Sequence, residues 1–525
     1  MKKIYLFAFA AMAALQVQAQ SATQDTYVGA ALATEDLNGT ARYVGMGGAM
    51  DALGADISTM GSNPAGIGLF RRGQVSASLS VVAQEEGKSF QDGSKTHVSF
   101  DQVGVVFSTR TGKTSYLNFG LNFHKNRNFN HVLFAERALN GSSQNLQTVV
   151  KFLPEIVNGQ KISSMMCSQL DDLYLGNMIY AEGTPHSYEM DYYDFKRANT
   201  GYIGEFDLNI SGNIKNRLYL GLTVGIHNVN YKNYSEYYEY LYNDNTQRDV
   251  FRDVLISDNH KITGHGFNIK AGIIARPIEE SPFRIGLSVS TPTFYRLTTE
   301  NYTTIGGNVD RESAKEDFRF NTPWKFGLSL GHTINNNIAL GAVYEYADYG
   351  SCDMRSIDGG YYDWYYDSYS ERTSSDNIMK QHIEKTLKGV HTFKIGGEFR
   401  VDNNIALRLG YNYVSPMYQE NGVRDQTLWS PGVYYASTTH FVNWKATNRI
   451  TAGVGFSFDK FRLDLAYQYS TRKGDFYPFM PNLSNEVTFT DDEGKSQTVV
   501  ESNSCDAVSV KDNRHQIQAS LTYTF

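Results

Sequence analysis

From residue 74 to its end the chain alternates apolar and polar residues, segment after segment, and that rhythm restricts it to a β fold. The last segment is the cleanest. Ile517, Ala519, Leu521, Tyr523 and Phe525 share one face, and Gln516, Gln518, Ser520, Thr522 and Thr524 share the other. Strand side chains point alternately to opposite faces, so each such segment is a ribbon with one greasy and one polar side. Leu218–Ile226, Ile405–Tyr413 and Phe461–Tyr469 repeat the pattern.

The rhythm predicts fourteen strands, near 74–83, 97–109, 115–125, 200–213, 217–231, 263–276, 282–298, 319–333, 338–349, 391–400, 405–415, 447–458, 461–473 and 513–525. Their connections alternate short and long. Short ones such as Ile214–Asn216, Pro277–Ser281 and Asp459–Lys460 carry the Gly, Asn, Asp or Pro of tight turns. Long ones run over 84–96, 126–199, 232–262, 299–318, 350–390, 416–446 and 474–512. This asymmetry, with an even strand number, is that of an all-β, antiparallel transmembrane β-barrel with long, partly helical outer loops.

Composition agrees. A mean hydropathy of −0.41 excludes a helical membrane protein but not a barrel, whose inner face and loops are polar. Lipid supplies no hydrogen bonds, so an open sheet edge would cost several kcal/mol per unpaired group, and the sheet must close. Tyr344, Tyr346, Tyr411, Tyr413, Tyr467, Tyr469 and Tyr523 end the outward series and suit interfacial girdles. A net charge of −7 argues against a nucleic-acid partner. The competing reading is a soluble secreted sandwich.

Lys2 and Lys3 precede the apolar run Ile4–Leu15, and Val17-Gln18-Ala19 places small residues for cleavage. Residues 1–19 are therefore expected to be a signal peptide, too short to span a bilayer. Export and a barrel together place the mature chain in the outer membrane of a diderm bacterium, among outer-membrane lipids. Phe525 matches the C-terminal residue that barrel-assembly machinery engages.

Residues 20–73 do not alternate. They contain Gly45-Met46-Gly47-Gly48-Ala49-Met50, Asp51–Asp56, and Ser62-Asn63-Pro64-Ala65-Gly66. No Gly-Lys-Ser/Thr follows the paired glycines, so this is not a phosphate loop. Small residues at this density let a segment pack closely inside something else, and Asn63-Pro64 marks a turn. These runs resemble the FadL/TodX family of hydrophobic-compound transporters. The resemblance implies a 14-stranded barrel over residues 74–525, with residues 20–73 as a hatch in its lumen that includes Asn63, Pro64, Ala65 and Gly66. It also implies passive uptake of hydrophobic small molecules such as long-chain fatty acids. In that family a kink in the third strand opens a lateral exit, and Gly120 is the candidate kink position here.

Lumen-facing positions carry both signs of charge, among them Glu205, Asp207, Lys270, Arg284, Lys325, Glu345, Lys394, Glu398, Arg408, Arg462 and Asp464. A wet bore holds a greasy ligand poorly, so an apolar pocket is expected between hatch and wall. A possible outer-loop hydrophobic site comprises Tyr237, Tyr240, Leu241, Phe251, Val254 and Leu255, the last three and Val250 at helical spacing; self-packing of the loop is the alternative. Tyr361, Tyr362, Trp364, Tyr365, Tyr366 and Tyr369 form a second aromatic cluster. Cys167, Cys352 and Cys505 allow three pairings, and the sequence does not choose. No metal pair, cofactor site or nucleophile–base–orienter set is evident, so the chain reads as a non-enzyme. The alternative function is an outer-membrane binding protein, a haem receptor using His131, His186 or His260, or an adhesive barrel acting through its loops.

Overall fold

The computed structural model describes residues 22–158, 165–176, 189–242, 250–306, 311–335, 337–365, 367–490 and 494–525. The expected leader and His186 lie outside them. Strands β1 (Gln74–Gln84), β2 (Thr96–Arg110), β3 (Tyr116–Asn128), β4 (His131–Ala138), β5 (Tyr192–Ile214), β6 (Leu218–Tyr242) and β7 (Val250–Ala275) come first. Then follow β8 (Arg284–Ser290), β9 (Phe294–Ile305), β10 (Arg311–Asn321), β11 (Lys325–Ile334), β12 (Ile338–Asp348), β13 (Asp353–Asp363) and β14 (Ser368–Ser375). The last are β15 (Gly389–Arg400), β16 (Ile405–Val414), β17 (Phe441–Phe458), β18 (Phe461–Tyr477), β19 (Asn482–Thr490), β20 (Ser496–Ser504) and β21 (Val508–Thr524).

Every neighbouring pair is antiparallel, and the ring closes where β1 meets β21, from Gln74↔Thr524 to Gln84↔Arg514. Phe525 N–H donates to Gly73 O at 3.0 Å, so the barrel segment begins and ends at one point. The fourteen spans of the ring are β1, β2, β3, β5, β6, β7, β8 with β9, β11 with β10, β12 with β13, β15, β16, β17, β18 and β21. Strands predicted as continuous over 282–298 and 319–333 are each broken, at Pro292 and Pro323, because proline has no N–H for the ladder. Thr293 N–H instead donates to Thr322 Oγ1 at 2.8 Å, which holds the two breaks side by side.

The outer surface is a belt of exposed apolar residues, including Phe119, Leu208, Leu222, Leu409, Leu465 and Ile517. Such a belt on a closed sheet is the lipid-facing surface of a transmembrane barrel. At its loop end, Tyr344 bonds His391 (2.8 Å), Tyr467 bonds His515 (2.7 Å) and Tyr411 donates to Asn448 (2.7 Å). Each ring is thus anchored at its polar edge, as an interfacial girdle requires.

The predicted loop 232–262 is instead a ladder, because β6 and β7 pair as far as Tyr242↔Val250. The helical spacing of Val250, Phe251, Val254 and Leu255 is incidental. Val254, Ile256 and Asp258 are buried on one side of β7, a period of two. Likewise, 299–318 continues as β9 and β10, 350–390 holds the hairpin β13–β14, and 474–512 holds β19–β20. Across this loop end lie short helices at Gln144–Lys151, Leu153–Asn158 and Gln169–Tyr174. They pack with Tyr193, Phe195, Tyr237, Val254, Phe476 and Phe479 into an apolar lid core. Within it Lys151 and Asp171 form a buried ion pair at 2.7 Å. Cys167, Cys352 and Cys505 are all free thiols.

Placing a charge on the belt tests the membrane assignment. Leu409→Arg should lower stability by about 2–4 kcal/mol if the site is near the bilayer midplane. Urea titration in lipid vesicles reads this, and an unchanged midpoint would contradict a lipid-facing Leu409.

Candidate functional site

Residues 22–73 bond to the wall in several directions at once. Ala41 N–H donates to Ser520 Oγ of β21 (2.6 Å), and Asn118 of β3 donates to Ile67 O (2.7 Å). Ser211 of β5 donates to Pro64 O (2.8 Å), Arg284 of β8 to Leu53 O (2.8 Å) and Thr451 of β17 to Gly45 O (3.1 Å). A short segment reaches all these strands only from inside the ring. Its helices are α1 (Thr26–Ala33), α2 (Ala41–Gly45) and α3 (Thr59–Ser62), followed by a 3₁₀ turn at Pro64–Leu69.

The segment's glycines and those of the wall fit together. Gly47 and Gly48 have φ of 64° and 78°, a left-handed pair that side chains resist. On the wall, a Cβ at Gly341 would strike Ala49 O, at Gly396 Met46 O, and at Gly410 Gly47 N. Asn63 is fully buried and accepts from Ala65 N–H at 3.2 Å, and Pro64 opens the 3₁₀ turn. Gly66 is needed because a Cβ there would press on Thr59. The four residues expected in the hatch thus form one capped turn against β5, β6 and β7.

Paired charges line the lumen. Glu205 accepts from Lys270, and Glu345 accepts from Lys394 at 2.7 Å. Arg408 bridges Glu398 (2.7 Å) and Asp464 (2.8 Å), while Arg42 of the hatch reaches the same Glu398 at 2.9 Å. Asp51 of the hatch takes a hydrogen bond from Ser62 at 2.6 Å. Burial raises its carboxyl to about 6, against the opposite pull of Lys394. One open space in the lumen, about 190 Å3, has charged walls, with Glu35, His124, Glu205, Lys270, Lys325 and Lys394 among its lining residues. The expected apolar pocket is therefore not this cavity.

The apolar interior lies nearer the loops and is occupied. Phe129, Ile203, Ile262, Phe318, Phe320 and Met354 belong to one core, into which α1 inserts Tyr27, Ala30, Leu32 and Ala33. Tyr27 stacks on Tyr418 at 5.1 Å and donates to Asn443 at 2.7 Å. Asp25 caps α1 and receives Arg424 Nη2 at 2.6 Å. Sequence reading missed this chamber because its residues come from strands far apart in the chain. The one local signal was the apolar run Tyr27–Ala33 ahead of the hatch's glycines.

The wall has a seam between β2 and β3. Their pairing stops at Gln102↔His124, and β3 shifts register against β5 between Lys125 and Arg127. Gly120 is not the irregularity. It pairs regularly with Val106 and Asn209, and its missing Cβ makes room for Met60 of the hatch. Hatch residues fill the seam: Asp36 N–H donates to Asn126 O (2.9 Å) and Asn38 donates to Lys125 O (3.1 Å). Asp36 also accepts from Asn128 N–H (2.9 Å) and Arg127 (2.7 Å).

No family model matches the chain, and no curated protein matches it in sequence. A Pseudomonas aeruginosa FadL homologue is similar in structure with a TM-score of 0.50 at 11% identity, covering 94% of this chain and 100% of that one. The chain has the FadL-type fold. The Ralstonia pickettii toluene transporter TbuX gives a TM-score of 0.47 at 12% identity, covering 93% and 99%. The CymD monoaromatic hydrocarbon channel gives 0.47 at 10%, covering 94% and 99%.

The outer-loop residues suspected as a hydrophobic site do not form an open surface. Tyr237 and Val254 are buried in the lid core, with Leu241 against it. Tyr240 is buried among Tyr192, Tyr238 and Tyr242, and Leu255 is half-buried on β7. Phe251 lies on β7, and its side chain is outside the described residues. His131 and His260 sit on β4 and β7, His260 bonded to Thr299 at 2.9 Å. No group of metal-binding side chains occurs among the described residues. Tyr361, Trp364, Tyr365 and Tyr369 stand exposed on the β13–β14 hairpin.

Two outcomes follow for the hatch. Gly410→Val should leave the barrel folded but unseat the hatch, giving proteolytic access to residues 22–73. Because docking raises the Asp51 carboxyl, the docked hatch binds a proton that a solvated aspartate releases between about pH 6 and about pH 4. Docking should therefore strengthen as pH falls through that window. Channel opening in planar bilayers should be rarer at low pH, and Asp51→Asn should abolish the difference.

Proposed function

We propose that the chain is an outer-membrane channel for passive uptake of hydrophobic small molecules, long-chain fatty acids among them, gated by its N-terminal hatch. The observation that carries this reading is the apolar chamber at the loop end of the lumen, filled by α1. Burial of apolar surface is worth about 25 cal/mol per Å2, so a greasy molecule binds there once α1 withdraws. Below the chamber the bore is polar and holds such a molecule poorly. The seam between β2 and β3 lies beside this route and supplies the lateral exit, blocked at rest by Asp36 and Asn38. The sequence resemblance to the FadL/TodX family and the shared fold support the same reading.

The chain's partners in this reading are membrane lipids, the apolar ligand, and the assembly machinery that engages Phe525. The chemistry is transfer without bond making, so the chain acts as a channel rather than an enzyme. Cells carrying the gene should accumulate labelled oleate faster than cells without it. Deleting residues 20–73 should convert the protein into an open pore in planar bilayers. Unchanged conductance would refute a plugged lumen, and unchanged oleate uptake would refute the transport reading.

A further inference from the structure

The loop end carries a surface that the uptake route does not use. The hairpin of β13 and β14 holds Tyr361, Tyr362, Trp364, Tyr365 and Tyr369 in water, with Trp364 and Tyr365 at 88% and 86% exposure. Open aromatic rings are costly to hydrate, and a patch of them on a folded chain marks a surface that binds. Past Arg355, β13 pairs with β14 alone among the described residues, so the outer hairpin is a two-stranded ribbon. Asp353 to Asp363 is about 33 Å of strand, so the rings at the tip stand far from the wall residues at its foot. That foot is fixed. Arg319 of β10 holds Glu371 through Nε and Nη2 at 2.8 and 2.6 Å, and Arg355 donates to Asp353 (2.9 Å) and to Thr373 O (2.8 Å).

The rings are set against one another. Tyr362 and Tyr369 lie directly opposite across the ladder and so share a face. A Cβ at Gly360 would meet the Tyr369 ring at 2.6 Å, so the glycine lets that ring lie across the ribbon. Trp364 meets Tyr362 edge-on at 4.8 Å, and the Tyr362 hydroxyl donates to the exposed Asp367.

Charge and composition select the partner. Between Ser356 and Ser370 the chain has no Lys or Arg and three carboxylates, Asp358, Asp363 and Asp367. That charge repels phosphate-bearing headgroups and acidic polymers, which surface segments capture with Lys and Arg. Ile357 is the one aliphatic side chain of this stretch, so it offers flat rings rather than anchors that insert among acyl chains. A neutral hexose matches such a surface on both counts. Its C–H face stacks on an aromatic ring, and its hydroxyls donate to carboxylates at the ring edges.

We propose that the β13–β14 hairpin is a carbohydrate-binding surface, which takes neutral hexose chains on the face of Tyr362, Trp364 and Tyr369, with Asp367 accepting from sugar hydroxyls. This is attachment to a glycan, separate from passage through the lumen, and it does not rest on the uptake reading.

Retention of the full-length protein, in nanodiscs, on resins carrying β-glucan, amylose, mannan or galactan tests this. At least one of these neutral polymers should retain it, and polygalacturonate and dextran sulfate should not. Trp364→Ala should weaken retention at least about tenfold, and the exposure of Trp364 lets it be changed without loss of the barrel. Trp364→Phe should keep most of the affinity. Trp364→Leu should lose it, because leucine keeps apolar area but not the flat face. Oleate uptake should be the same in all three variants; a fall in parallel with retention would overturn the separation of the two surfaces. Retention by none of the four neutral polymers overturns the inference. Equal retention on the acidic polymers, on vesicles of anionic phospholipid or on albumin-coated resin also overturns it, as does a leucine variant that binds like wild type. Those results would mean an apolar patch for lipid or protein.

Discussion

Everything in this molecule depends on the pairing of backbone N–H and C=O groups around a closed ring. In hydrocarbon an unpaired peptide group has no water to turn to, so the β1–β21 contact is a condition of the fold rather than one pairing among many. Closure then sets the geometry of the interior. Alternate residues on each strand are forced inward, into a bore that must be filled, hydrated or charge-paired. The breaks at Pro292 and Pro323 are tolerated because they occur on adjacent strands, where Thr293 and Thr322 pair across the gap.

The interior is filled in two chemically distinct ways. The turn-side hatch is a steric fit, backbone against backbone, wherever wall glycines such as Gly341, Gly396 and Gly410 leave no Cβ. The α1 segment is a solvation fit, placing Tyr27 and Leu32 among apolar wall residues that would otherwise face water. Between the two lies a polar cavity in which charges of both signs meet. A plug held by close packing is rigid, whereas a helix of small residues held largely by burial can be replaced by another apolar body. In the uptake route proposed above, that division would have motion begin at α1 and the Glu35–Asn38 stretch.

Much of this was legible in the chain. The alternation located all fourteen spans, and the short turns and long loops assigned their ends. The glycine runs and Asn63–Gly66 marked a segment that packs inside something else. The differences lie at the outer ends of the strands and at one irregularity in the wall. The outer ladder of β6 and β7 reads as loop in the sequence, because strands extend beyond the apolar belt and their outer residues, such as Tyr237 and Lys261, no longer show a lipid-facing pattern. Gly120 drew attention as a flexible residue, yet the irregularity falls at Lys125–Arg127, where pairing with β2 has already ended.

By itself, the sequence determined the class of the protein: a period of two, repeated with an even count, admits few ways to satisfy peptide groups in a membrane. It also determined that residues 20–73 stand apart from the barrel, since they lack that period. Only the tertiary structure decided which inward residues meet. Arg127, Arg449, Arg472 and Arg514 lie on four strands scattered through the chain, and nothing local marks them as neighbours. The same holds for the chamber around α1. Register and closure, set by long-range backbone pairing, turn a pattern of faces into a site, and neither is encoded within any one segment.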